Sequence, residues 1–466
     1  MSPTTLFEKI WTSHVVLQRP DGWALLHIDR HLLHDLSGTI GFSDLAERRL
    51  PVRHPELSFA TPDHAVSTAH GRTGETFEGG AALYASLKRD AKQNGIRFFD
   101  VGAPGHGIVH VMAPELGLVQ PGITLICGDS HTCTNGGLGA LAFGVGSSEI
   151  THALATQTLW QQVPRTLRVR FDGRLREGTT PKDLILYLIG HLGAKAGTGH
   201  VVEFAGSAIR QMSIEGRMTV CNLSIELGAK MGFVAPDDQT FSYLDGREFS
   251  PKGARFDQAV RHWRTLVSDD GARFDREVVV DASRLVPMVT WGTSPEQVIP
   301  IDGIVPPPSA LTEPEQVNAA RSALEYMGLE PGRPIAGTAI DWVFIGSCTN
   351  ARLSDLQEAA AVVDGRRVAP GVTAWVVPGS EEVKREAERE GLHVRFRNAG
   401  FDWREPGCSM CVAANGEHAR PGTRVASTSN RNFVGRQGPG VRTHLMSPRM
   451  AAAAALAGAI VDVRRK

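Results

Sequence analysis

The sequence has no excess of charge of either sign and few cysteines. Its 466 residues carry 49 lysines and arginines against 50 aspartates and glutamates, a formal net charge of −1 before histidine is counted. A protein that binds nucleic acid electrostatically usually has a clear basic excess, so the composition argues against that class. Six cysteines in this length do not make a disulfide scaffold, because such scaffolds are short and dense in cysteine. The thiols are therefore expected to be ligands, catalysts or core residues.

Long apolar runs and targeting patterns are also absent. The N-terminal segment MSPTTLFEKIW has no basic stretch followed by an apolar one, as a signal peptide would. The longest late apolar run, 450–461, is shorter than the ~20 residues needed to span a bilayer. Its high alanine content favours a packed helix instead. We therefore expect a cytoplasmic protein with no membrane segment.

The sequence does contain short apolar runs that end in Gly or Ser and are followed by turns and helical patterns. GITLICGDS (122–130) precedes a glycine-rich turn, and DWVFIGSCTN (341–350) and VTAWVVPGS (372–380) each precede a helical segment. Strand, turn and helix in this order predict an α/β fold with parallel sheets. In such folds the functional groups gather at the carboxyl ends of the strands.

Changes in composition mark two domain boundaries. Near 164–166 an apolar, helical stretch gives way to a strand, TLRVRFDG, and 301–315 is rich in proline like a linker. We therefore predict domains at 1–164, 165–300 and 301–466. The charge run 381–390 is predicted to be the solvated face of a helix.

One glycine-rich stretch resembles a nucleotide-binding motif. Residues 137–142 fit G-x-G-x-x-A after a predicted strand. The acidic residue expected about 20 positions later is missing. This argues against a dinucleotide site.

Three cysteines lie in positions that favour ligand binding. Cys348 follows a predicted strand in GSCTN, and Cys408 and Cys411 form a C-x-x-C pair. A single C-x-x-C pair leaves several interpretations open: half a zinc site, a redox pair, an iron–sulfur site or ordinary buried thiols. Three thiolates on a [4Fe–4S] cluster would leave one iron open as a Lewis acid for a substrate hydroxyl and carboxylate.

The other cysteines have different surroundings. Cys127 lies inside an apolar strand and Cys221 follows an apolar run, so both are predicted to be core residues. Cys133 lies in the glycine-rich loop, which leaves open whether it approaches the site.

Polar side chains cluster where strands are predicted to end. A histidine beside a carboxylate is a tuned proton donor, because the anion favours the cationic ring. The candidates are Asp63 and His64 after FATP, His110 at the end of GIVH, and Asp129, Ser130 and His131 after ITLICG. Asn222 and Glu226 are four residues apart and are predicted to share one helix face.

Two arginines in SNRNFVGRQG are candidates for anion binding. Arg431 and Arg436 are five residues apart in a loop of Asn, Gly and Gln. A guanidinium binds a carboxylate through two hydrogen bonds, so a pair of buried arginines fits a dicarboxylate substrate. A basic surface loop is the alternative.

Four motifs, taken in this order, resemble those of the aconitase superfamily: DSHT with its glycine-rich run, GSCTN, GCSMC and STSNRNFVGRQG. The likeness extends over residues 5–466. It is greatest to the branch formed by the large subunits of bacterial isopropylmalate dehydratases, as in YLIGHLGAKAGTGHVVEFAG and VTWGTSPEQ. The resemblance implies an aconitase-like architecture of three α/β/α domains. A swivelling fourth domain is expected on a separate small subunit, since the chain leaves no room for it.

The resemblance also implies a hydro-lyase reaction. One [4Fe–4S] cluster per subunit is expected on Cys348, Cys408 and Cys411. The substrate would be 2-isopropylmalate, which loses water to give 2-isopropylmaleate and regains it as 3-isopropylmalate, a step of leucine biosynthesis. A serine of the small subunit is expected to take the proton from carbon.

Roles for the polar residues follow from the same resemblance. Asp63 and His64 are expected to protonate the departing hydroxyl. His110 is expected to pair with Asp129, and His131 with Glu226. Ser130 and Asn222 are expected to orient the cluster and the substrate. Arg431 and Arg436 are expected to hold the carboxylates of the substrate.

One position departs from the family pattern H-T-x-T-H-G. Here Asn135 replaces the second histidine, which removes an ionisable group near the predicted site. This departure leaves open a related hydro-lyase acting on citramalate or 2,3-dimethylmalate. Two alternatives of other classes also stay open: an RNA-binding relative without a cluster and a structural zinc protein.

Overall fold

The computed structural model describes residues 3–465. Its parallel sheets and packed helices confirm the predicted α/β class. The chain forms two compact units, of which the first comprises Met1–Val66, Thr73–Arg174 and Lys195–Ala282. The second unit comprises Ser67–Arg72, Leu175–Ala194 and Ser283–Lys466. Among the described residues, no helix combines the length and the apolar character needed to cross a bilayer.

The strands are two to eight residues long. In chain order they are β1 (Val15–Gln18), β2 (Trp23–His27), β3 (Arg30–Leu33), β4 (Ser58–Ala60), β5 (Arg97–Phe98), β6 (Thr124–Cys127), β7 (Leu141–Gly144), β8 (Thr158–Gln162), β9 (Arg165–Asp172), β10 (His200–Ala205), β11 (Met231–Val234), β12 (Arg276–Asp281), β13 (Met288–Thr290), β14 (Val298–Pro300), β15 (Trp342–Ile345), β16 (Thr373–Val376), β17 (Asp402–Trp403), β18 (Arg424–Ser427) and β19 (Arg442–Leu445).

The helices follow most of these strands. In chain order they are α1 (Leu6–His14), α2 (Gly38–Arg48), α3 (Glu78–Gln93), α4 (Val109–Glu115), α5 (Ser147–Thr156), α6 (Pro181–Leu192), α7 (Ser207–Gln211), α8 (Ile214–Asn222), α9 (Asp238–Leu244), α10 (Ala254–Trp263), α11 (Pro314–Met327), α12 (Leu353–Val363), α13 (Glu381–Arg389), α14 (Leu392–Ala399) and α15 (Pro448–Ala457).

The first unit contains a five-stranded parallel sheet in the order β5-β4-β3-β6-β7. Neighbouring residues of β3 point to opposite sides of it. Leu32 packs with Val109 and Met112 of α4, whereas Leu33 packs with Phe42 of α2. Full burial of such a side chain contributes about 1.5–3 kcal/mol. From β3 the chain adds β4 and β5 toward one edge of the sheet, whereas β6 and β7 are added toward the other edge. The winding direction therefore reverses between β3 and β6, and at such a point a crevice for ligands forms at the carboxyl ends of the strands.

A second parallel sheet in the same unit has the order β11-β10-β9-β12. Its central strand β9 is the strand predicted at TLRVRFDG. The stretch just before it was expected to be helical, and that prediction is wrong. Residues Thr158–Gln162 form β8, which pairs antiparallel with β2. Short apolar runs of this kind do not distinguish strand from helix by periodicity.

The second unit contains a five-stranded parallel sheet in the order β17-β16-β15-β18-β19. Its winding reverses between β15 and β18. The predicted strands at 341–350 and 372–380 are β15 and β16, and α12 and α13 follow them as expected. The alanine-rich run forms α15, whose residues Met450–Ala455 are buried, so the packed helix is also confirmed.

Each of the predicted segments 1–164, 165–300 and 301–466 contains one of the three parallel sheets. The two domain boundaries themselves stay a prediction. In the segment expected to be a linker, α11 begins at Pro314, with proline in the first helical position.

Candidate active site

Two groups of polar side chains lie where the sheets change their winding direction. In the first unit the loops after β3, β4 and β6 bring together histidines and carboxylates, which we call the histidine cluster. Its members are His34, Asp35, Asp63, His64, His110, Asp129, His131 and Glu226. In the second unit the loops after β15, β17 and β18 carry what we call the cysteine site. Its members are Cys348, Cys408, Cys411, Asn430 and Arg436.

His64 lies between two carboxylates. Its Nδ1 is 2.5 Å from Oδ1 of Asp63, and its Nε2 is 3.1 Å from Oδ2 of Asp129. Burial opposes charge on this ring, but the two carboxylates outweigh burial and raise the pKa of His64 well above its ordinary value. His64 therefore carries a proton at neutral pH and is able to donate it.

Asp129 is the centre of the histidine cluster. It begins the 3₁₀ turn Ser130–Leu138, and its Oδ1 accepts a hydrogen bond of 2.6 Å from the backbone N–H of His131. The same oxygen lies 3.6 Å from Nε2 of His110 and 3.5 Å from Nδ1 of His131. Burial disfavours the carboxylate, but the three imidazoles outweigh burial and hold the pKa of Asp129 well below its ordinary range. Asp129 therefore stays ionised.

His110 does not end a strand, and that part of the prediction is wrong. It is the second residue of α4 and is buried. Asn135 donates through Nδ2 to the backbone carbonyl of Thr132 at 2.9 Å, and the same nitrogen lies 3.4 Å from Nδ1 of His110. Because this nitrogen is a donor, Nδ1 of His110 must accept and Nε2 must carry the hydrogen, facing Asp129. Burial lowers the pKa of His110, so this ring is neutral.

His131 contacts Glu226, as expected, with 3.1 Å between Nε2 and Oε1. The predicted shared helix face of Asn222 and Glu226 is wrong, because α8 ends at Asn222 and Glu226 lies in the separate 3₁₀ turn Ile225–Leu227. Asn222 instead donates to Oγ1 of Thr134 at 2.7 Å. Backbone hydrogen bonds from Ser224 to Cys221 and from Glu226 to Leu223, each 3.1 Å, connect the two segments.

The turn that carries these residues packs unusually close to its neighbour. A Cβ atom at Gly136 would lie 1.8 Å from the carbonyl oxygen of Gly232 in β11. Only glycine fits there, which explains why the DSHT motif continues into a glycine-rich run. Ser130 is half-buried, with its hydroxyl 3.5 Å from Nδ1 of His131.

Sequence reasoning missed two members of the histidine cluster. Asp35 accepts hydrogen bonds from the backbone N–H groups of His64 (3.2 Å) and Ala65 (2.6 Å). The ring of His34 stacks on that of His64, with 4.4 Å between centroids. The available signal was the His–Asp dipeptide directly after the strand RHLL, since polar residues after a strand also marked the other predicted strand ends.

The cysteine site is held by an unusual backbone. Cys348 follows Ser347, whose φ is +79°, and Cys408 precedes Ser409, whose φ is +49°. Both angles lie in the left-handed region that non-glycine residues rarely occupy. The hydroxyl of Ser347 lies 3.0 Å from the sulfur of Cys411. Such strain persists only where surrounding contacts fix it, and it is concentrated at functional sites.

Asn430, which sequence reasoning did not single out, lies between two of the sulfurs. Its Nδ2 is 3.5 Å from Sγ of Cys348, and its Oδ1 is 3.7 Å from Sγ of Cys411. Its place directly before Arg431 in the arginine loop was the available signal.

Arg436 reaches the same site, with one terminal nitrogen 3.9 Å from the sulfur of Cys411 and 3.5 Å from Oδ1 of Asn430. Its Nε is buried and has no hydrogen-bond partner among the described residues. Arg431 and Arg436 are each half-buried, and the residues between them include the exposed Phe433 and Val434. The two arginines are thus not fully buried, and their loop also differs from a purely basic surface loop because it exposes two apolar side chains.

The remaining cysteines are structural. Cys127 and Cys221 have no exposed surface, which confirms them as core residues. Cys133 is also fully buried, and its sulfur faces the backbone carbonyls of Asn222 (3.5 Å) and Ser130 (3.7 Å). Burial raises the pKa of its thiol to about 12.

The cysteine site fits an iron–sulfur cluster better than a single ion. Its three thiols are buried and free of disulfides. Among residues 3–465, the one set of ligand atoms within 4.8 Å of one another is that of His34, Asp35, Asp63 and His64. The three sulfurs are therefore too widely spaced for one zinc ion, which needs four close ligands. Asn430 and Arg436 lie beside the sulfurs, where hydrogen bonds would tune the reduction potential of a cluster held by these thiolates.

Comparison with known proteins shows the family of this chain. The model of the aconitase family (aconitate hydratase) matches residues 8–458. The chain belongs to the aconitase family. It is 63% identical over 460 residues to the 3-isopropylmalate dehydratase large subunit 1 of Bradyrhizobium diazoefficiens, covering 99% of this chain and 96% of that protein. The holo-form crystal structure of Thermococcus kodakaraensis aconitase X aligns with a TM-score of 0.47 and 13% identity, covering 88% of this chain and 84% of that one.

Proposed function

We propose that this aconitase-family chain is the large subunit of a 3-isopropylmalate dehydratase, a hydro-lyase of leucine biosynthesis. It would interconvert 2-isopropylmalate and 3-isopropylmalate through 2-isopropylmaleate. The observation that carries the proposal is the 63% identity to a large subunit of that name over 99% of the chain. The free thiols agree with our placement of the enzyme in the cytoplasm.

The histidine cluster would supply the proton for the departing hydroxyl. His64 is held between Asp63 and Asp129 and is protonated at neutral pH, so it is a suitable acid. His110 and His131 would keep Asp129 ionised, and Glu226 would orient His131. Ser130 and Asn222 would fix the turn that presents these groups. When water returns to the other carbon, the same groups would take the proton back.

The cysteine site would hold a [4Fe–4S] cluster through Cys348, Cys408 and Cys411. When bound, such a cluster supplies an open iron that acts as a Lewis acid toward a hydroxyl and a carboxylate. Arg436 has an unused buried N–H, and with Arg431 it would bind a substrate carboxylate. These two cations would also stabilise the charge that develops when the carbon-bound proton leaves.

The base that removes this proton would come from a separate small subunit. By analogy with the family, that base would be a serine on a swivelling domain of the small subunit. The large subunit would therefore bind substrate but not turn it over alone.

An anaerobic turnover assay tests this function. The chain is reconstituted with iron and sulfide and assayed with and without the small subunit encoded in the same genome. We expect 2-isopropylmalate to be turned over only when both subunits are present. Turnover by the large subunit alone would contradict the assignment of the base.

Asn135 favours one second candidate, a related hydro-lyase with another diacid substrate. Its buried Oδ1 has no hydrogen-bond partner among the described residues, and its Nδ2 fixes the tautomer of His110. The same assay therefore includes citramalate, 2,3-dimethylmalate and citrate. A loaded complex that ignores 2-isopropylmalate but converts one of these would select the second candidate.

A further inference from the structure

Lys182 is completely buried in the second unit, although it belongs to neither group of predicted site residues. It is the second residue of α6. Its ammonium group donates three hydrogen bonds, to the carbonyls of Ser429 (2.6 Å) and Thr428 (2.8 Å) and to Oδ1 of Asn350 (3.2 Å). These three acceptors use all its N–H groups. Two lie in the loop after β18, which carries Asn430 and Arg436, and one lies in the loop after β15, which carries Cys348, so Lys182 ties these two loops together.

The charge of Lys182 has no direct partner. Among the ion pairs of residues 3–465, no carboxylate oxygen lies within 4 Å of its Nζ. Asp183, the next residue, is occupied by the N–H and hydroxyl groups of Thr180 and the N–H of Met288. A fully buried ammonium without a counter-ion is costly, and lysine is rarely found in that state.

The negative groups that act on Lys182 at longer range include the sulfurs of the cysteine site. Burial lowers the pKa of Lys182 to about 7, and Cys411, Asp355, Cys348 and Asp183 oppose that effect, with Cys411 the strongest. Asp355 also accepts a hydrogen bond of 2.9 Å from Nδ2 of Asn350. The side-chain amide of Asn350 thus bridges Lys182 and Asp355.

A second buried cation lies on the same loop. Arg352 donates to the carbonyls of Cys348 (2.7 Å) and Thr349 (2.8 Å). Lys182 and Arg352 thus place two buried cations beside the loop after β15, where Asp355 and Asp183 are the carboxylates that act on Lys182. Thiolates carrying a cluster would add negative charge beside these cations.

We propose that Lys182 is a positioning residue for the iron–sulfur cluster. Its buried charge balances the thiolates of Cys348, Cys408 and Cys411, and its hydrogen bonds fix the spacing of the two loops. This inference rests on the proposed function, since it requires the cluster. It assigns the charge balance of the site to a residue outside the ligand motifs.

Four variants separate charge from hydrogen bonding. Lys182→Met removes both, Lys182→Gln removes the charge but keeps N–H donors, and Lys182→Arg keeps the charge. Lys384→Met is the control, because Lys384 is partly exposed and pairs with Glu405. Circular dichroism verifies that each protein is folded. If Lys182→Met does not fold, Lys182→Gln carries the same test.

The first measurement uses the loaded proteins. A nearby positive charge favours reduction of a cluster, so we expect a more negative midpoint potential in the Met and Gln variants and an almost unchanged one in the Arg variant. Release of iron to a chelator should be faster by about 10–100-fold in the neutral variants, as for other supports of metal ligands. A native potential in Lys182→Gln would overturn the proposal.

The second measurement uses the proteins without a cluster. Iodoacetamide alkylation of Cys348 and Cys411, followed by mass spectrometry, reports how readily each thiol ionises. Loss of the lysine charge should slow alkylation about tenfold, because it raises the thiol pKa. Equal rates in native protein and both neutral variants would overturn the charge role. If the native chain takes up no iron and sulfide, the proposed function fails, while the alkylation rates still decide whether Lys182 acts on the thiols.

Discussion

Nε2 of His64 lies 3.1 Å from a carboxylate oxygen of Asp129. These residues follow β4 and β6, which are not neighbours in the sheet, because β3 lies between them. The contact therefore bridges the central strand at the point where the winding reverses. Asp63 and Asp129 each contact one ring nitrogen of His64. The two contacts fix the orientation of the ring, and the two negative charges favour its protonated form.

Replacing His64 tests its role as the acid. We expect His64→Gln to lower turnover of the reconstituted two-subunit enzyme by about 10²–10⁴-fold, the usual contribution of a positioned general acid. The iron content should not change. His54→Gln is the control, because that ring is exposed and pairs only with Glu56. Unchanged turnover in His64→Gln would rule out the proton transfer.

The pH dependence of stability tests the same ring. Folding raises the pKa of His64 above its ordinary value of 6.5. Its contribution to the free energy of unfolding is therefore complete below about pH 6.5, declines above it, and is lost once the pH has risen through the raised value. Urea unfolding of the native protein and His64→Gln should show a stability difference that shrinks as the pH rises. A difference that grows with pH would contradict the charged ring.

Glu226→Gln should damage turnover more than cluster content. Its Oε1 lies 3.1 Å from Nε2 of His131, and an amide holds that ring without the negative charge. We expect turnover to fall by about 10-fold or more, as when a group that supports a catalytic histidine is lost. Glu248→Gln, at an exposed ion pair with Arg97, is the control. Iron and sulfide are measured beside turnover, and a parallel loss of both would show that Glu226 acts on the cluster instead.

Two cysteine substitutions separate ligands from core thiols. Cys408→Ser should abolish the visible absorbance of the reconstituted protein together with its iron and sulfide. Cys133→Ala should keep all three, because the sulfur of Cys133 is fully buried and faces the backbone carbonyls of Ser130 and Asn222. The cost of the Ala variant should be limited to stability, about 1–3 kcal/mol for a small buried side chain. Loss of the cluster in Cys133→Ala would place that thiol among the ligands.

The parts of the site that could be predicted from the sequence are those encoded locally. Asp63 and His64 are adjacent in the chain, and an apolar run ending in polar residues marks the end of a strand. The Asn135–His110 contact and the position of Lys182 could not be predicted, because they depend on how distant segments pack. His110 was wrongly assigned to a strand end because GIVH is too short for its hydrophobic period to distinguish a strand from a helix.

Glu417 makes further tertiary contacts that could not be predicted from the sequence. Its carboxylate accepts hydrogen bonds from Ser67, Thr68, Arg404 and Ser409, the last at 2.7 Å. Because Ser409 has a left-handed backbone, we expect Glu417→Gln to release the turn between Cys408 and Cys411. The free energy of unfolding should fall by about 3 kcal/mol, the lower end of the cost of breaking a buried ion pair, since Arg404 keeps Asp402.

Urea unfolding measures this loss, and Glu382→Gln is its control. Glu382 pairs with Arg385 on the surface of α13, where an ion pair contributes below about 1 kcal/mol. Although burial opposes it, Arg404 and the hydroxyls lower the pKa of Glu417. Its contribution is therefore present above the ordinary value near 4.5 and lost as the pH falls through the lowered one. Equal losses in the two variants would contradict the role of Glu417.

Arg436→Lys tests the anion site without removing charge. A lysine cannot offer the forked pair of N–H groups, so a substrate carboxylate would lose its orientation. We expect turnover to fall by about 10²-fold, the cost of a small misplacement of the reacting groups, with native iron and sulfide content. Arg420→Lys, at an exposed position of the same unit, is the control. If Arg436→Lys turns over substrate normally, the buried Nε of Arg436 does not serve the substrate. Loss of iron in that variant would instead assign Arg436 to the cluster, because its guanidinium also lies 3.9 Å from the sulfur of Cys411.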